Sequence, residues 1–137
     1  GRLDKDSTGL LLLTNDGDLA NEIQRSRNNH EKEYHVRVNT DITEDFIKKM
    51  SEGVEILDTV TKPCKVKKTG TRNFSIILTQ GLNRQIRRMC DALHVRVVHL
   101  KRVRIMNIRL GSLRPGEFRT LTRGEEQELR RLVQKRS

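Results

Sequence analysis

A polar N-terminal segment followed by four consecutive leucines constrains the fold of this chain more than any other feature. Residues 1–9 are rich in Asp, Ser, Thr and Gly, residues 10–13 are all leucine, and a turn-forming cluster follows at residues 14–18. An apolar run between two turn signals is typical of a fully buried strand. A buried strand fixes the loop before it, and fixed loops often carry functional side chains. The carboxylate of Asp4 is therefore the first candidate for a functional group.

Three roles are open to Asp4 from the residues alone. Asp commonly forms turns by accepting hydrogen bonds from nearby backbone N–H groups. With Asp6, Asp16 and Asp18 it could bind a divalent metal, since hard cations prefer carboxylate oxygens, although no EF-hand spacing is present. It could also be a lone nucleophile or base, which needs a nearby cation to stay ionised where water is excluded.

A second segment supplies such cations. Asn83 is a good helix N-cap, and apolar residues then recur with helical spacing at Ile86, Met89, Cys90 and Leu93. Another face of this predicted helix carries Arg84, Arg87 and Arg88. The cluster is either a solvated helix face or a phosphate-binding surface that also supplies the counter-charge for Asp4.

A third segment, residues 31–38, alternates polar and apolar residues like a half-buried strand. It contains Tyr34, the only tyrosine in a chain without tryptophan. By itself Tyr34 is an ordinary amphipathic strand residue. Beside a basic surface it could stack on an unpaired RNA base.

The charge of the chain favours a polyanionic partner. Lys and Arg number 28 against 18 Asp and Glu, which gives a formal net charge of +10, and such a surplus attracts phosphates. One basic group is Lys62, Lys65, Lys67 and Lys68, and the other is Arg96, Lys101, Arg102 and Arg104. Aromatic residues make up only 3%, so one base read in one pocket fits better than extensive stacking.

Composition also excludes several classes of protein. At 137 residues the chain has the size of one domain. It contains no apolar stretch near the ~20 residues that span a bilayer and no signal-peptide pattern, so no membrane association is predicted. Cys64 and Cys90 match no common metal-binding spacing and are predicted to be reduced thiols in a cytoplasmic protein.

The pattern of predicted elements indicates an α+β domain, with a mixed, mostly antiparallel sheet and packed helices. Strands are predicted at residues 9–13, 32–39, 63–68, 73–79, 95–110 (with a break) and 118–121. Helices are predicted at residues 18–25, 43–51, 84–93 and 123–134. The last begins with a capping box formed by Thr122 and Glu125.

Taken together, these segments resemble the pseudouridine synthases, in particular the RsuA/RluB/RluE/RluF family that modifies ribosomal RNA. The matching segments are GRLDKDSTGLLLLTNDGDL, KEY and GLNRQIRRMC. The local sequence is most similar to the RluF type, a 23S rRNA pseudouridine synthase. The resemblance extends from residue 1 to about residue 121.

The resemblance implies roles for individual residues. Asp4 is expected to be the essential catalytic aspartate, Tyr34 to stack on the target uracil, and Arg87 to form an ion pair with Asp4, with Arg2 as further active-site support. RNA contacts are expected from Arg84, Arg88, Lys65, Lys67, Lys68, Arg102 and Arg104. A hydrophobic residue late in the chain is expected to close the pocket, and the candidates are Ile105, Ile108 and Leu110.

The implied activity is isomerisation of a specific uridine to pseudouridine in ribosomal RNA, with 23S rRNA as the expected target, after the base is flipped out. A tRNA is a candidate second substrate. No cofactor or metal is expected, and the enzyme is expected to be a cytoplasmic monomer. Residues 1–137 are expected to form one pseudouridine synthase catalytic domain that is incomplete at its N-terminus and lacks an S4-type RNA-binding domain.

Two other classes of function remain compatible with the residues. The chain could be a non-catalytic RNA-binding module, in which Asp4 and Arg87 form a structural salt bridge. It could instead be a metal-dependent nuclease that uses Asp4, Asp6 and Asp16. Magnesium dependence would separate the nuclease from the synthase.

Overall fold

A six-stranded mixed sheet organises the computed structural model, which describes residues 3–25 and 30–134. The strands in chain order are β1 (Thr8–Gly9), β2 (Lys32–Val38), β3 (Glu55–Ile56), β4 (Thr59–Val60), β5 (Lys65–Gly70), β6 (Asn73–Leu78), β7 (Val97–Ile105) and β8 (Ile108–Arg109). The large sheet has the order β1-β7-β2-β6-β5, with β8 also paired to β7, while β3 and β4 form a separate hairpin. Among the described strands of this sheet, only β1 pairs in parallel. The predicted α+β class with a mostly antiparallel sheet is confirmed.

Within the described residues, four helices pack on this sheet: α1 (Gly17–Gln24), α2 (Glu44–Glu52), α3 (Gln85–Ala92) and α4 (Arg123–Gln134). Each predicted helix is confirmed to within one residue at either end. The capping box at α4 is also confirmed, because the Thr122 hydroxyl accepts from the Glu125 N–H at 3.1 Å and the Glu125 carboxylate accepts from the Thr122 N–H at 2.9 Å.

The buried residues of the described segments form two hydrophobic clusters. The larger joins strands β2, β6 and β7 to α2 and α3, with Phe74, Ile76 and Met89 fully buried. The smaller joins the end of β7 to α1 and α4 and includes Ile23 and Leu129. Apolar residues of both clusters, among them Leu100 and Ile105, line the space between them.

The run of leucines is not the buried strand that its hydrophobicity predicts. Pairing with β7 covers only β1 and ends at the hydrogen bond from the Leu10 N–H to the Arg102 carbonyl. Leu10 is buried in the smaller cluster, whereas Leu13 is 84% exposed. The chain turns away from the sheet at Gly9, whose φ is +114°, so the following leucines have no neighbouring strand to pair with. The strand predicted at residues 118–121 is also wrong, since that segment is irregular.

The predicted break within residues 95–110 is confirmed and separates β7 from β8. Met106 sits in this turn with a φ of +53°. The hairpin of β3 and β4 was not predicted from the sequence. Within the described residues, no helix has the length and apolar character needed to cross a membrane.

Candidate active site

A pocket of about 290 Å³ lies where the two hydrophobic clusters meet. Its polar lining includes Asp4, Ser7, Lys32, Tyr34, Arg84 and Arg102. Apolar walls are contributed by residues that include Leu78, Leu82, Leu100 and Ile105. Its volume is at the lower end of small-molecule sites, and a few convergent polar groups between apolar walls are typical of them.

The loop that carries Asp4 is fixed to the sheet immediately after it. The Ser7 N–H donates to the Asp4 carbonyl at 3.0 Å, which closes a turn. Gly9 then passes so close to β7 that a Cβ atom there would lie 2.2 Å from the Arg102 carbonyl oxygen. The Asp4 residue itself is exposed at the pocket. The local structure therefore holds an accessible carboxylate on a loop whose far end is rigidly placed.

Tyr34 faces the same pocket from β2. Burial raises the pKa of Tyr34 above its ordinary value; the charge and hydrogen bonding of Arg102 oppose this rise, and the Asp4 carboxylate adds to it. Burial, together with the Arg102 charge, lowers the pKa of Lys32. The family resemblance predicted that Asp4 and Tyr34 belong to one active site, and the structure places both residues at one pocket.

A β-bulge decides where Arg102 and Arg104 point. Tyr34 pairs with Arg102, but the preceding Glu33 pairs with Arg104, so β7 carries one extra residue. The bulge turns the two arginines to opposite faces of the sheet. Arg102 is only 6% exposed and lines the pocket. The RNA contact expected from Arg102 would therefore be made inside the pocket, and it stays a prediction.

Arg104 has its charge satisfied inside the protein. Its guanidinium donates to Glu33 at 2.9 Å, to Glu31 at 3.2 Å and to the Met106 carbonyl at 2.6 Å, and its side chain is 11% exposed. This geometry favours a structural role over the RNA contact expected from the sequence.

The helix α3 begins one residue later than predicted. Asn83 is not its cap, because the Asn83 side chain and carbonyl accept hydrogen bonds from Arg88 at 2.8 and 3.0 Å. The Gln85 side chain instead accepts from the Leu82 N–H at 3.2 Å. Arg84 occupies the cap position in the left-handed region, with a φ of +46°, and lines the pocket. Strained backbone of this kind is concentrated at functional sites.

The expected ion pair between Asp4 and Arg87 is wrong: among the ion pairs within residues 3–25 and 30–134, none joins these two residues. Arg87 instead donates through Nη2 to the Asp6 carbonyl oxygen at 2.6 Å, which draws the guanidinium toward the loop backbone. Its Nε is buried without a hydrogen-bond partner in the described part of the chain. Arg87 therefore supports the Asp4 loop and retains one unused donor beside it.

The lysines of β5 divide between the two sheet faces. Lys65 and Lys67 pair with Ile77 and Ser75 of β6 and are exposed on the face opposite the pocket. Lys68 lies on the other face, where its ammonium donates to the Ile42 carbonyl at 3.1 Å. Of the three lysines expected to contact RNA, Lys65 and Lys67 therefore face outward, whereas Lys68 is hydrogen-bonded to the backbone.

Other expected residues are placed as follows. Arg2 lies outside the described residues. Of the three hydrophobic candidates, Ile105 lines the pocket, whereas Ile108 and Leu110 pack in the smaller cluster. Leu100 also lines the pocket and was missed, because periodicity alone does not identify which face of a strand meets a cavity.

The described residues contain no group of three or more His, Cys, Asp or Glu placed to hold a metal ion. Asp16, one of the candidate ligands, is the N-cap of α1 and pairs with Arg130 at 3.2 Å. Its hydrogen bond from the Leu19 N–H, followed by that from Arg130, lowers the pKa of Asp16. The nuclease hypothesis is thus left without a ligand set in this part of the chain.

Comparison with known proteins gives consistent matches. The family model for RNA pseudouridylate synthases matches residues 1–92. The chain is 56% identical over 137 residues to the dual-specificity RNA pseudouridine synthase RluF of Escherichia coli (strain K12), covering 100% of this chain and 47% of that protein. It is 36% identical over 139 residues to the ribosomal large subunit pseudouridine synthase B of Bacillus subtilis (strain 168), covering 97% and 57%.

A solved structure has the same fold. The crystal structure of a pseudouridylate synthase superposes with a TM-score of 0.88 at 35% identity, covering 96% of this chain and 57% of the solved chain. The chain spans about half the length of the curated relatives that it matches.

Proposed function

We propose, on the premise that this chain belongs to the RNA pseudouridylate synthase family, that it carries the catalytic site of an enzyme converting a specific uridine of ribosomal RNA to pseudouridine. The observation that carries the proposal is the convergence of Asp4, Tyr34 and the cationic groups of Arg84 and Arg102 on one pocket. These residues come from distant parts of the sequence. Their convergence supports a common chemical task.

The pocket suits one nucleotide that has left its stack. Its volume of about 290 Å³ is too small for a duplex, so the target uridine would be flipped out of the RNA. Tyr34 offers an aromatic face at one wall, and the apolar residues Leu78 and Leu100 line the pocket around it. A detached uracil could turn in such a space without escaping to solvent.

The reaction is a rearrangement that needs no change of oxidation state. The N1–C1′ glycosidic bond breaks, a C5–C1′ bond forms, the proton at C5 is lost and N1 gains a proton. Asp4 can assist by attacking C1′, by adding to C6 of the uracil, or by removing the C2′ proton. Each route requires the carboxylate in its ionised form.

Arg87 is proposed to support the catalytic loop. Its hydrogen bond to the Asp6 carbonyl lies two residues after Asp4, and its Nε, a buried donor without a partner among the described residues, would bond the substrate when RNA binds. Hydrogen bonds in an unliganded site are often looser than in the complex. Arg2 is proposed to act with it.

The RNA outside the pocket is proposed to contact the exposed basic residues. Lys65 and Lys67 lie on the edge strand β5 and share their face with Arg37 and Lys101. They would bind phosphates of flanking RNA, whereas Arg84 would meet the backbone at the pocket. Arg88, which is partly exposed beside Asn83, is a further candidate.

Neutralising both Lys65 and Lys67 with glutamine should weaken RNA binding without slowing the chemical step. Each lost phosphate contact reduces the steepness of the slope of log affinity against log salt concentration by roughly 0.7–0.9. The slope of the double variant should therefore be shallower by about twice that amount. The measurement is filter binding of an rRNA fragment over a series of salt concentrations.

Lys68 provides the matched control, because its ammonium is bonded to the Ile42 carbonyl on the other face. Lys68→Gln should change the slope less than Lys67→Gln, its neighbour in sequence. Equal slopes for these two single variants would contradict the assignment of the RNA contact to the outward face.

The substrate is proposed to be 23S rRNA, with tRNA as a second substrate; the name of the Escherichia coli relative, a dual-specificity enzyme, supports two RNA classes. Such an enzyme would act in the cytoplasm, and we propose that it is a monomer. The test is to map pseudouridines in ribosomal RNA and tRNA from cells that lack the gene. At least one rRNA site should be lost and return on complementation, while an unchanged rRNA map would refute the proposed substrate.

A further inference from the structure

The RNA contact expected from the sequence does not explain why Arg102 is buried. Arginine is almost never fully buried unless its charge is engaged, yet Arg102 is 6% exposed. It stands opposite Tyr34 in the register of β2 and β7 and lines the pocket together with Asp4. Its position calls for a role inside the site.

Arg102 is linked to the segment that follows the catalytic loop. Its Nε donates to the Leu10 carbonyl at 2.9 Å, while its own backbone carbonyl accepts from the Leu10 N–H at 2.8 Å. Leu10 directly follows Gly9, where an added Cβ would lie 2.2 Å from the Arg102 carbonyl oxygen of β7. Both the main chain and the side chain of Arg102 thus fix the end of the Asp4 loop.

The same guanidinium lies near the Tyr34 phenol: the two residues are paired across β2 and β7 and line one pocket, and the positive charge of Arg102 opposes the rise of the Tyr34 pKa. We infer that Arg102 is a positioning residue, which bridges the Tyr34 side chain to the Leu10 backbone and thereby fixes the aromatic face relative to Asp4. The inference rests on the proposed function and adds to it a residue that acts through Tyr34 and the loop.

A guanidinium suits this task better than an ammonium. It is planar, always charged, and presents donors in a fixed fork, so Nε can bond one group while the terminal nitrogens engage another. Among the described residues, the other charged groups that line the pocket are Asp4, Lys32 and Arg84. Among the three cations, Arg102 is the one that stands directly opposite Tyr34 in the sheet register.

Tyr34 itself can report on this arrangement, because it is the only tyrosine of the 137 residues. The protein is labelled with ¹³C at the tyrosine ζ carbon, and the Tyr34 resonance is identified as the one that Tyr34→Phe lacks. Alkaline titration without RNA then gives the Tyr34 pKa, with circular dichroism marking the pH range in which the protein stays folded.

Arg102→Met should raise the Tyr34 pKa above that of the unaltered protein, because a charge and a donor that stabilise the phenolate are removed. Arg102→Lys, which keeps the charge but loses the fork, should give an intermediate value. Arg104→Met is the matched control, since Arg104 is on the same strand but on the opposite face, paired with Glu33. It should leave the Tyr34 pKa unchanged.

Activity gives a second, independent readout. Arg102→Lys should lower the rate of the chemical step by roughly 10- to 100-fold, the cost of a misplacement of about 1 Å, with RNA affinity nearly unchanged. In the Tyr34→Phe background, Arg102→Lys should lower the rate of the chemical step by a clearly smaller factor, because the hydroxyl that Arg102 orients is then absent.

Two results would overturn the inference and leave Arg102 as a support for Leu10 alone. The first is an unchanged Tyr34 pKa in folded Arg102→Met. The second is an unchanged Tyr34 pKa in folded Arg102→Lys together with equal rate losses in the unaltered and the Tyr34→Phe backgrounds. The titration needs neither RNA nor turnover. A protein that shows the pKa shift but no isomerisation would therefore refute the proposed function and not the link between Arg102 and Tyr34.

Discussion

Replacing Asp4 with asparagine should abolish uridine isomerisation while leaving the fold and RNA affinity close to those of the unaltered protein. The amide has nearly the same size but has lost the negative charge, the nucleophilicity and the basicity. Because Asp4 is exposed and its backbone carbonyl makes the turn to Ser7, the substitution leaves the local structure in place. We expect a rate loss of roughly 10³-fold or more, within the range of lost acid–base or nucleophilic groups.

The variant can be assayed by complementing cells that lack the gene and quantifying pseudouridine at the affected rRNA site. Asp6→Asn is the matched control, because Asp6 lies in the same exposed loop and contributes its backbone carbonyl, not its carboxylate, to Arg87. It should retain activity. Equal loss of activity in both variants would favour a shared metal site and contradict the role of Asp4 as a lone catalytic carboxylate.

Replacing Gly9 with alanine should unfold or severely destabilise the catalytic loop. The new Cβ would lie 2.2 Å from the Arg102 carbonyl oxygen and 2.5 Å from the Arg102 nitrogen, at a φ of +114° that side chains rarely adopt. Neither contact can relax without separating β1 from β7. We expect the free energy of unfolding to fall by about 2–4 kcal/mol, from strain and overpacking combined, with activity lost as well.

Urea denaturation measures this effect, and Gly17→Ala is its control. Gly17 begins α1, and a Cβ added there would have no other atom within 4 Å, so alanine should be neutral or stabilising by a few tenths to about 1 kcal/mol. If Gly9→Ala unfolds at the same urea concentration as the unaltered protein, the close approach of β1 to β7 is not what fixes the loop.

The sequence was sufficient to predict most regular elements because their signals are local. Helices α1 to α4 follow from the spacing of their apolar residues, and α4 follows also from the capping box of Thr122 and Glu125 at its start. Strand β2 follows from alternation. These features depend on residues a few positions apart.

The prediction of a buried strand at the leucine run was wrong because burial depends on partners that lie far away in the chain. Continuous hydrophobicity predicts a buried strand, but a strand also needs neighbours, and pairing with β7 stops at Leu10. The left-handed cap at Arg84 was missed for a similar reason, since Asn83 is the better cap by residue type but its side chain is bound by Arg88.

The site was predictable only in part. The family resemblance indicated Asp4 and Tyr34, whereas no spacing rule could reveal that Arg102 enters the pocket and Arg104 does not. Both residues sit two positions apart in a strand, where alternation places them on one face. The bulge opposite Glu33 and Tyr34 reverses that expectation, and a bulge depends on pairing between strands that are far apart in sequence.

The central claim, that the pocket around Asp4 isomerises uridine, is tested most directly by tritium release from ribosomal RNA labelled at uracil C5. That hydrogen is lost only when C5 bonds to the ribose, so release reports the new bond itself. The protein in its full natural length should release tritium in proportion to the pseudouridine formed, and the Asp4→Asn variant should release none above background. No release by the unaltered protein, or comparable release by Asp4→Asn, would contradict the account.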